Sequence, residues 1–203
     1  MIDTKEKILI TSLHLFAKDG YEAVSVSTIA GELGMSKGAL YKHYKNKRDI
    51  FECIVDRMYQ KDIERAQKYE LPDETFDKAP MTYRNASIDN IKGFIESQFH
   101  FWTEDEFASD FRRMLTLERY RSPEMTDLYQ KILTSGPVSY IEDLFQEMMD
   151  QSILNISNPK QLAIEFYAPF YLLISISDEL TNKDEVTVLF LEHVDKFLKR
   201  NVT

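Results

Sequence analysis

Apolar residues recur along this chain at the three-and-four spacing of helices. From Thr4 to about Lys18 they fall at Ile8, Leu9, Leu13 and Phe16, one face of a first helix. Gly20 ends that helix and Tyr21 folds back as its hydrophobic contact. In the next pattern Ile29 and Leu33 share a face, and Ala30 lets a neighbouring helix come close. Ser25 stands where its hydroxyl can accept a first-turn N–H, and Gly34 follows the last apolar residue, where a left-handed residue closes a helix. Ser36 caps a third helix, from Lys37 to about Tyr44, with Leu40, Tyr44 and Met35 pointing inward. A fourth helix, to about Gln67, buries Ile50, Phe51, Ile54, Val55 and Met58. Asn46 caps it, and Asp49, three residues on, resembles a capping box.

Leu71 to Ser87 contains Pro72 and Pro80 with little periodicity, so it reads as a linker. Beyond it the helical period returns. Ser87 caps a helix carrying Ile88, Ile91, Ile95, Phe99 and Trp102; Phe107, Phe111, Met114 and Leu115 mark the next. Ser122-Pro123-Glu124 starts another, which Gly136-Pro137 breaks or kinks, and Val138 through Met149 continues helical. Asn158-Pro159 opens a helix with Leu162, Ala163, Phe166, Tyr167, Phe170, Leu173 and Ile174, and Thr181 to Lys199 is the last. The apolar stripes of these final two helices are wider than one face. The surplus suggests a second copy of the chain, as a homodimer through about 158–177 and 181–199. The expected fold class is all-α.

Composition narrows the picture. The 203 residues contain only six Gly and six Pro, which favours long helices over strands and turns. One cysteine, Cys53, allows no intramolecular disulfide and suits a reducing cytoplasm. The segment Met1–Lys7 is charged and lacks the apolar stretch of a secretory signal. The longest apolar run, Phe166 to Ile174, is nine residues with Pro169 inside, too short for a bilayer. The net charge of −9 is uneven: residues 1–50 hold eight Lys/Arg against six Asp/Glu, and 51–203 hold 17 against 28. The N-terminal part is locally basic and the acidity lies elsewhere.

Outward on the third helix are Lys37, Gly38, Ala39, Tyr41, Lys42 and His43, with no acid among them. Two cations, two small residues and two rings with hydrogen-bonding edges suit a helix entering a major groove ~12 Å wide. Two short helices and a tight turn, the second helix reading, make a helix-turn-helix. Lys47 and Arg48 stand in the first turn of the fourth helix, against its dipole. A DNA phosphate gripped by Lys47 would account for that; the alternative is that both side chains simply extend into solvent at small cost. No phosphate-cradling glycine loop, nucleophile elbow or Cys/His metal spacing is present, so neither an enzyme, a cofactor nor a metal is expected. His14 borders the apolar face of the first helix and reads as structural, and His100 as satisfied or solvated.

The run Thr28-Ile29-Ala30 through Gly34-Met35-Ser36-Lys37-Gly38-Ala39-Leu40-Tyr41-Lys42-His43-Tyr44, then Lys45 to Phe51, resembles the TetR family of bacterial transcriptional regulators. Leu15 to Tyr21 also fits that family's first helix and its glycine stop, so the likeness covers about residues 4–60. It implies a DNA-binding domain over 1–46, a connecting helix over 47–68 and a helical effector-binding and dimerisation domain over 69–203. The DNA-binding candidates are Ser25, Ser27, Thr28, Ser36, Lys37, Gly38, Ala39, Tyr41, Lys42, His43 and Lys47. The likeness further implies a repressor binding a near-palindromic double-stranded operator as a dimer, and a cavity for an unknown small-molecule effector. Phe99, Trp102, Phe111, Met114, Tyr140, Phe166 and Phe170 are the candidate lining. The rival reading is a helical ligand carrier or structural dimer that does not bind DNA.

Overall fold

The computed structural model describes residues 3–73, 78 and 80–203, and its regular elements are eleven α-helices with one short 3₁₀ turn at Ser177–Glu179. The helices are α1 (Thr4–Asp19), α2 (Val26–Glu32), α3 (Lys37–Leu40), α4 (Lys47–Lys68), α5 (Pro80–Arg84), α6 (Ile88–Glu104), α7 (Glu106–Glu118), α8 (Pro123–Leu133), α9 (Ser135–Asp150), α10 (Pro159–Ile176) and α11 (Asp184–Asn201). No strand forms among the described residues beyond one antiparallel bridge, Leu154 to Val202. The all-α expectation holds. Residues 1, 2, 74–77 and 79, which belong to the N-terminal and linker readings, lie outside the described residues. In the remainder of that linker the short helix α5 forms, and its Tyr83 is buried at 1% exposure. A large ring with an apolar site to fill orders a stretch whose sequence has little periodicity.

Local caps explain most helix starts. Ser87 Oγ accepts from Asn90 N at 3.1 Å, Ser122 Oγ from Met125 N at 3.2 Å, and Asn158 Oδ1 from Gln161 N at 2.9 Å. Each removes one orphan donor of a first turn. Between α8 and α9, a Cβ on Gly136 would lie 1.9 Å from the Lys131 carbonyl oxygen, so only glycine lets the two helices meet there.

The chain forms two compact units. The first comprises Met1–Lys61 with Glu106–Tyr129; the second comprises Asp62–Asp105 with Gln130–Thr203. Helices α1 to α3, the headpiece, therefore share their unit with α7, because α1 packs along α7. Ile8, Leu13, Phe16, Ile29, Leu40, Ile50 and Ile54 fill that unit's interior together with Phe111, Met114 and Leu115, all at 0–1% exposure. Tyr21 joins it edge-on to Phe16, with centroids 5.1 Å apart.

The second unit is held by aromatic packing. Phe99 of α6 stacks on Phe190 of α11 at 4.4 Å, and Phe170 of α10 meets both edge-on. Phe145, Phe166 and Phe197 make a second cluster, with centroids 4.8–5.7 Å apart. Offset and edge-on ring pairs of this kind add about 0.5–1.5 kcal/mol each beyond area burial.

Candidate nucleic-acid interface

The interface starts with two serines and a glycine. Ser25 Oγ accepts from Thr28 N at 3.1 Å and starts α2. Gly34 takes φ +62°, and Met35 N reaches back to Ala30 O at 2.9 Å, so the chain leaves α2 in a tight turn. Ser36 Oγ then accepts from Ala39 N at 3.2 Å and starts α3. Ile29, Ala30, Leu40 and Tyr44 are buried and clamp the two helices together.

The regular part of α3 ends at Leu40, earlier than the expected Tyr44. The last turn tightens, with Lys42 N bonding to Ala39 O and His43 N to Leu40 O. Short i→i+3 bonds satisfy end carbonyls that a four-residue helix cannot pair otherwise. Tyr44 closes the turn: its ring is 2% exposed, and its hydroxyl donates to the Lys5 carbonyl at 3.1 Å. Burial pushes that phenol up to about 12.

The candidates of this region come together on unit one. Ser25, Ser27, Thr28, Ser36, Lys37, Gly38, Tyr41 and Lys42 are exposed, while Ala39, His43 and Lys47 are half-buried. Tyr41 keeps half of its surface in solvent, at 50% exposure. A Cβ on Gly38 would meet nothing nearer than Ser36 Oγ at 3.9 Å, so the fold itself does not require glycine there.

Neither cation at the start of α4 extends freely. Lys47 Nζ donates to the Tyr21 carbonyl at 2.7 Å and lies 4.2 Å from that ring's centroid. Arg48 pairs with Glu52, one turn along α4, and bidentately with Glu124 of α8. That guanidinium holds the Glu124 carboxyl below its usual value. The opposing dipole is answered locally: Asn46 Oδ1 accepts from Asp49 N, and Asp49 Oδ2 accepts from Lys45 N, both at 2.8 Å. Arg48–Glu124 is the pairing that sequence reading missed. Its signal was the anomalous cation in a first turn, but the partner lies 76 residues away.

The candidate effector-lining residues divide between the units. Phe111 and Met114 are fully buried in the first, and Phe99, Trp102, Tyr140, Phe166 and Phe170 belong to the second. Phe99, Phe166 and Phe170 serve the ring clusters described above, and Trp102 is 7% exposed beside Phe101. Tyr140 donates its hydroxyl to the Pro72 carbonyl at 3.1 Å, and burial raises its phenol. Elsewhere His100 is paired with Glu104, Cys53 is half-buried, and His193 faces the Phe166 carbonyl.

A capped helix, a glycine turn and a short second helix with an acid-free outer face define a helix-turn-helix protein. Residues 8–54 match the family model "Bacterial regulatory proteins, tetR family". The N-terminal part of the chain is thus similar to that family's regulatory proteins. An HTH-type transcriptional regulator of Bacillus subtilis, YerO, is 51% identical over 50 residues, which are 25% of this chain and 17% of that protein. AcrR of Shigella flexneri is 39% identical over 52 residues, 26% of this chain and 24% of its own. The Escherichia coli transposon Tn10 TetC protein is 25% identical, over 87% of this chain and 93% of its own. Among solved structures, SmeT, the repressor of the Stenotrophomonas maltophilia multidrug efflux pump SmeDEF, superposes with a TM-score of 0.63 at 19% identity, over 99% of this chain and 91% of that one. A SmeT–triclosan complex gives 0.69 at 18% identity, over 98% and 92%. These likenesses extend the shared fold over the whole chain. No described helix is long and apolar enough to cross a membrane.

Proposed function

We propose that the protein is a DNA-binding transcriptional repressor that grips a near-palindromic operator as a homodimer. The observation that carries this is the outer face of α3: Lys37, Gly38, Tyr41 and Lys42 are exposed, none is acidic, and the fold leaves Gly38 uncrowded. Lys37 and Lys42 supply phosphate contacts, and Tyr41 and His43 present edges to bases. Ser25, Ser27, Thr28 and Ser36 lie where hydroxyls or helix-start amides meet the backbone. Lys47 contributes by holding the turn at Tyr21 and Glu22 that leads into α2.

The dimer reading draws support from α10. Ile164, Leu172 and Ile176 are 49%, 59% and 44% exposed, and with exposed Ala168 they form an unbroken stripe four residues apart. Val188 and Leu189 of α11 are also half in solvent, at 54% and 50%. A subunit-to-subunit four-helix contact would bury both stripes. Two bound headpieces then need reader helices about one DNA turn apart, ~34–36 Å. A small apolar effector held in the second unit would release operator by favouring a spacing that cannot dock. SmeT, with its triclosan complex, is a relative in fold that holds such a molecule.

The test is selection of bound sequences from random DNA, followed by fluorescence anisotropy at two salt concentrations. A two-fold symmetric consensus with strongly salt-dependent affinity is expected. Salt-insensitive binding, or no enrichment, overturns the reading in favour of a helical carrier.

A further inference from the structure

His14 of α1 was expected to be structural, yet its ring stands in solvent with 61% of the side chain exposed. Its Nδ1 lies 3.2 Å from Oδ2 of Asp110, which α7 contributes from 96 residues away. Glu106, one turn earlier on α7, completes a group whose donor atoms all lie within 4.8 Å of one another. Asp110 is unusual for a carboxylate, with only 9% of its side chain exposed, and α7 places a second carboxylate four residues before it. Like charges at that spacing repel, and burial sharpens the cost. The arrangement calls for positive charge between α1 and α7.

We propose that His14, Glu106 and Asp110 form a divalent transition-metal site that clips α1 to α7. One imidazole nitrogen and two carboxylate oxygens balance a dication and leave the remaining coordination positions to water. Ligand bonds of ~2.0–2.2 Å put neighbouring donors ~3–3.5 Å apart, so the group needs only a modest closing movement. Glu106 can supply it, being exposed and the first residue of its helix. The imidazole disfavours Mg²⁺ and Ca²⁺, and the absence of a thiolate from the group disfavours Cu(I). Zn²⁺ or Mn²⁺ is the class that fits. The sequence carries no spacing signal for this site, because its ligands come from two distant helices. Both helices belong to the unit that contains the helix-turn-helix, so bound metal would stiffen the packing beneath α2 and α3. The site stands independently of whether the chain binds DNA.

The experiment uses the full chain without a purification tag, freed of metal with a chelator and titrated calorimetrically with ZnCl₂, MnCl₂ and MgCl₂. One Zn²⁺ or Mn²⁺ per chain is expected, with Mg²⁺ much weaker and a rise in melting temperature that follows occupancy. Glu106→Gln and His14→Asn alter exposed side chains and should fold normally while each weakens binding at least about tenfold. Asp110→Asn should abolish it. No saturable binding, or binding that survives both Glu106→Gln and His14→Asn, overturns the proposal, the latter because the ion would then sit on other groups such as Cys53.

Discussion

Replacing Lys47 by methionine keeps the aliphatic stem and removes the ammonium, which separates two uses of one charge. In the structure that ammonium donates to the Tyr21 carbonyl at 2.7 Å, reaches the Glu22 carbonyl at 3.4 Å, and lies over the Tyr21 ring. A hydrogen bond from a charged donor is worth ~1.5–3 kcal/mol, and a partly exposed cation–ring contact ~0.5–1 kcal/mol. Water can replace the ammonium at the half-open end of this turn, so the net loss should be about 1–2 kcal/mol. For a chain of this size that lowers the melting temperature by roughly 2–8 °C. Urea unfolding followed by circular dichroism measures it. The same variant should bind operator with an unchanged salt dependence, because the charge is spent within the protein. A phosphate contact would instead flatten the log–log salt slope by ~0.9 per subunit, ~1.8 per dimer. Lys37→Met and Lys42→Met should show the reverse pattern, flatter slopes without loss of stability, since both side chains are exposed. Unchanged unfolding together with a slope flattened by ~1.8 for Lys47→Met would refute the reasoning and return that residue to the DNA.

Gly38→Ala should leave stability unchanged or raise it by up to ~1 kcal/mol, since no protein atom crowds the new methyl and alanine favours a helix; Gly38→Leu should fold equally well and lose operator. Normal operator binding by Gly38→Leu would mean that α3 does not approach a groove. On acidification, the pair between Glu6 and Arg57 should weaken. Hydrogen bonding to Arg57 holds the Glu6 carboxyl below its unfolded value of 4.5, so its contribution is present above that pH and lost as pH falls through the lower folded value. Glu6→Gln should remove that part of the acid sensitivity, a screened ~0.2–1 kcal/mol; an identical stability-versus-pH curve would show that the pair contributes nothing. Leu172→Asp, in the middle of the α10 stripe, should convert dimer to monomer in sedimentation without unfolding the subunit, and a dimer that survives it would place the contact elsewhere.

What the sequence determined by itself was local. Ser25, Ser36, Asn46, Ser87, Ser122 and Asn158 cap helices through bonds spanning three residues, so residue type and the apolar period located each start. Gly34 was legible for the same reason, since a left-handed turn after a short helix tells in favour of glycine. The acid-free face of α3 followed from knowing which four-apart residues turn inward. Tertiary structure alone decided where distant charges go. Lys47 and Arg48 looked like a gap in the helix dipole until Tyr21 and Glu124 arrived beside them. It also decided that α7 shares a unit with the headpiece, which placed Phe111 and Met114 apart from Phe99, Phe166 and Phe170. And it set His14 against Asp110 across 96 residues. A helix advertises which face is apolar, but not which other helix will cover it: many apolar stripes are mutually compatible, and only packing the whole chain at once selects one pairing.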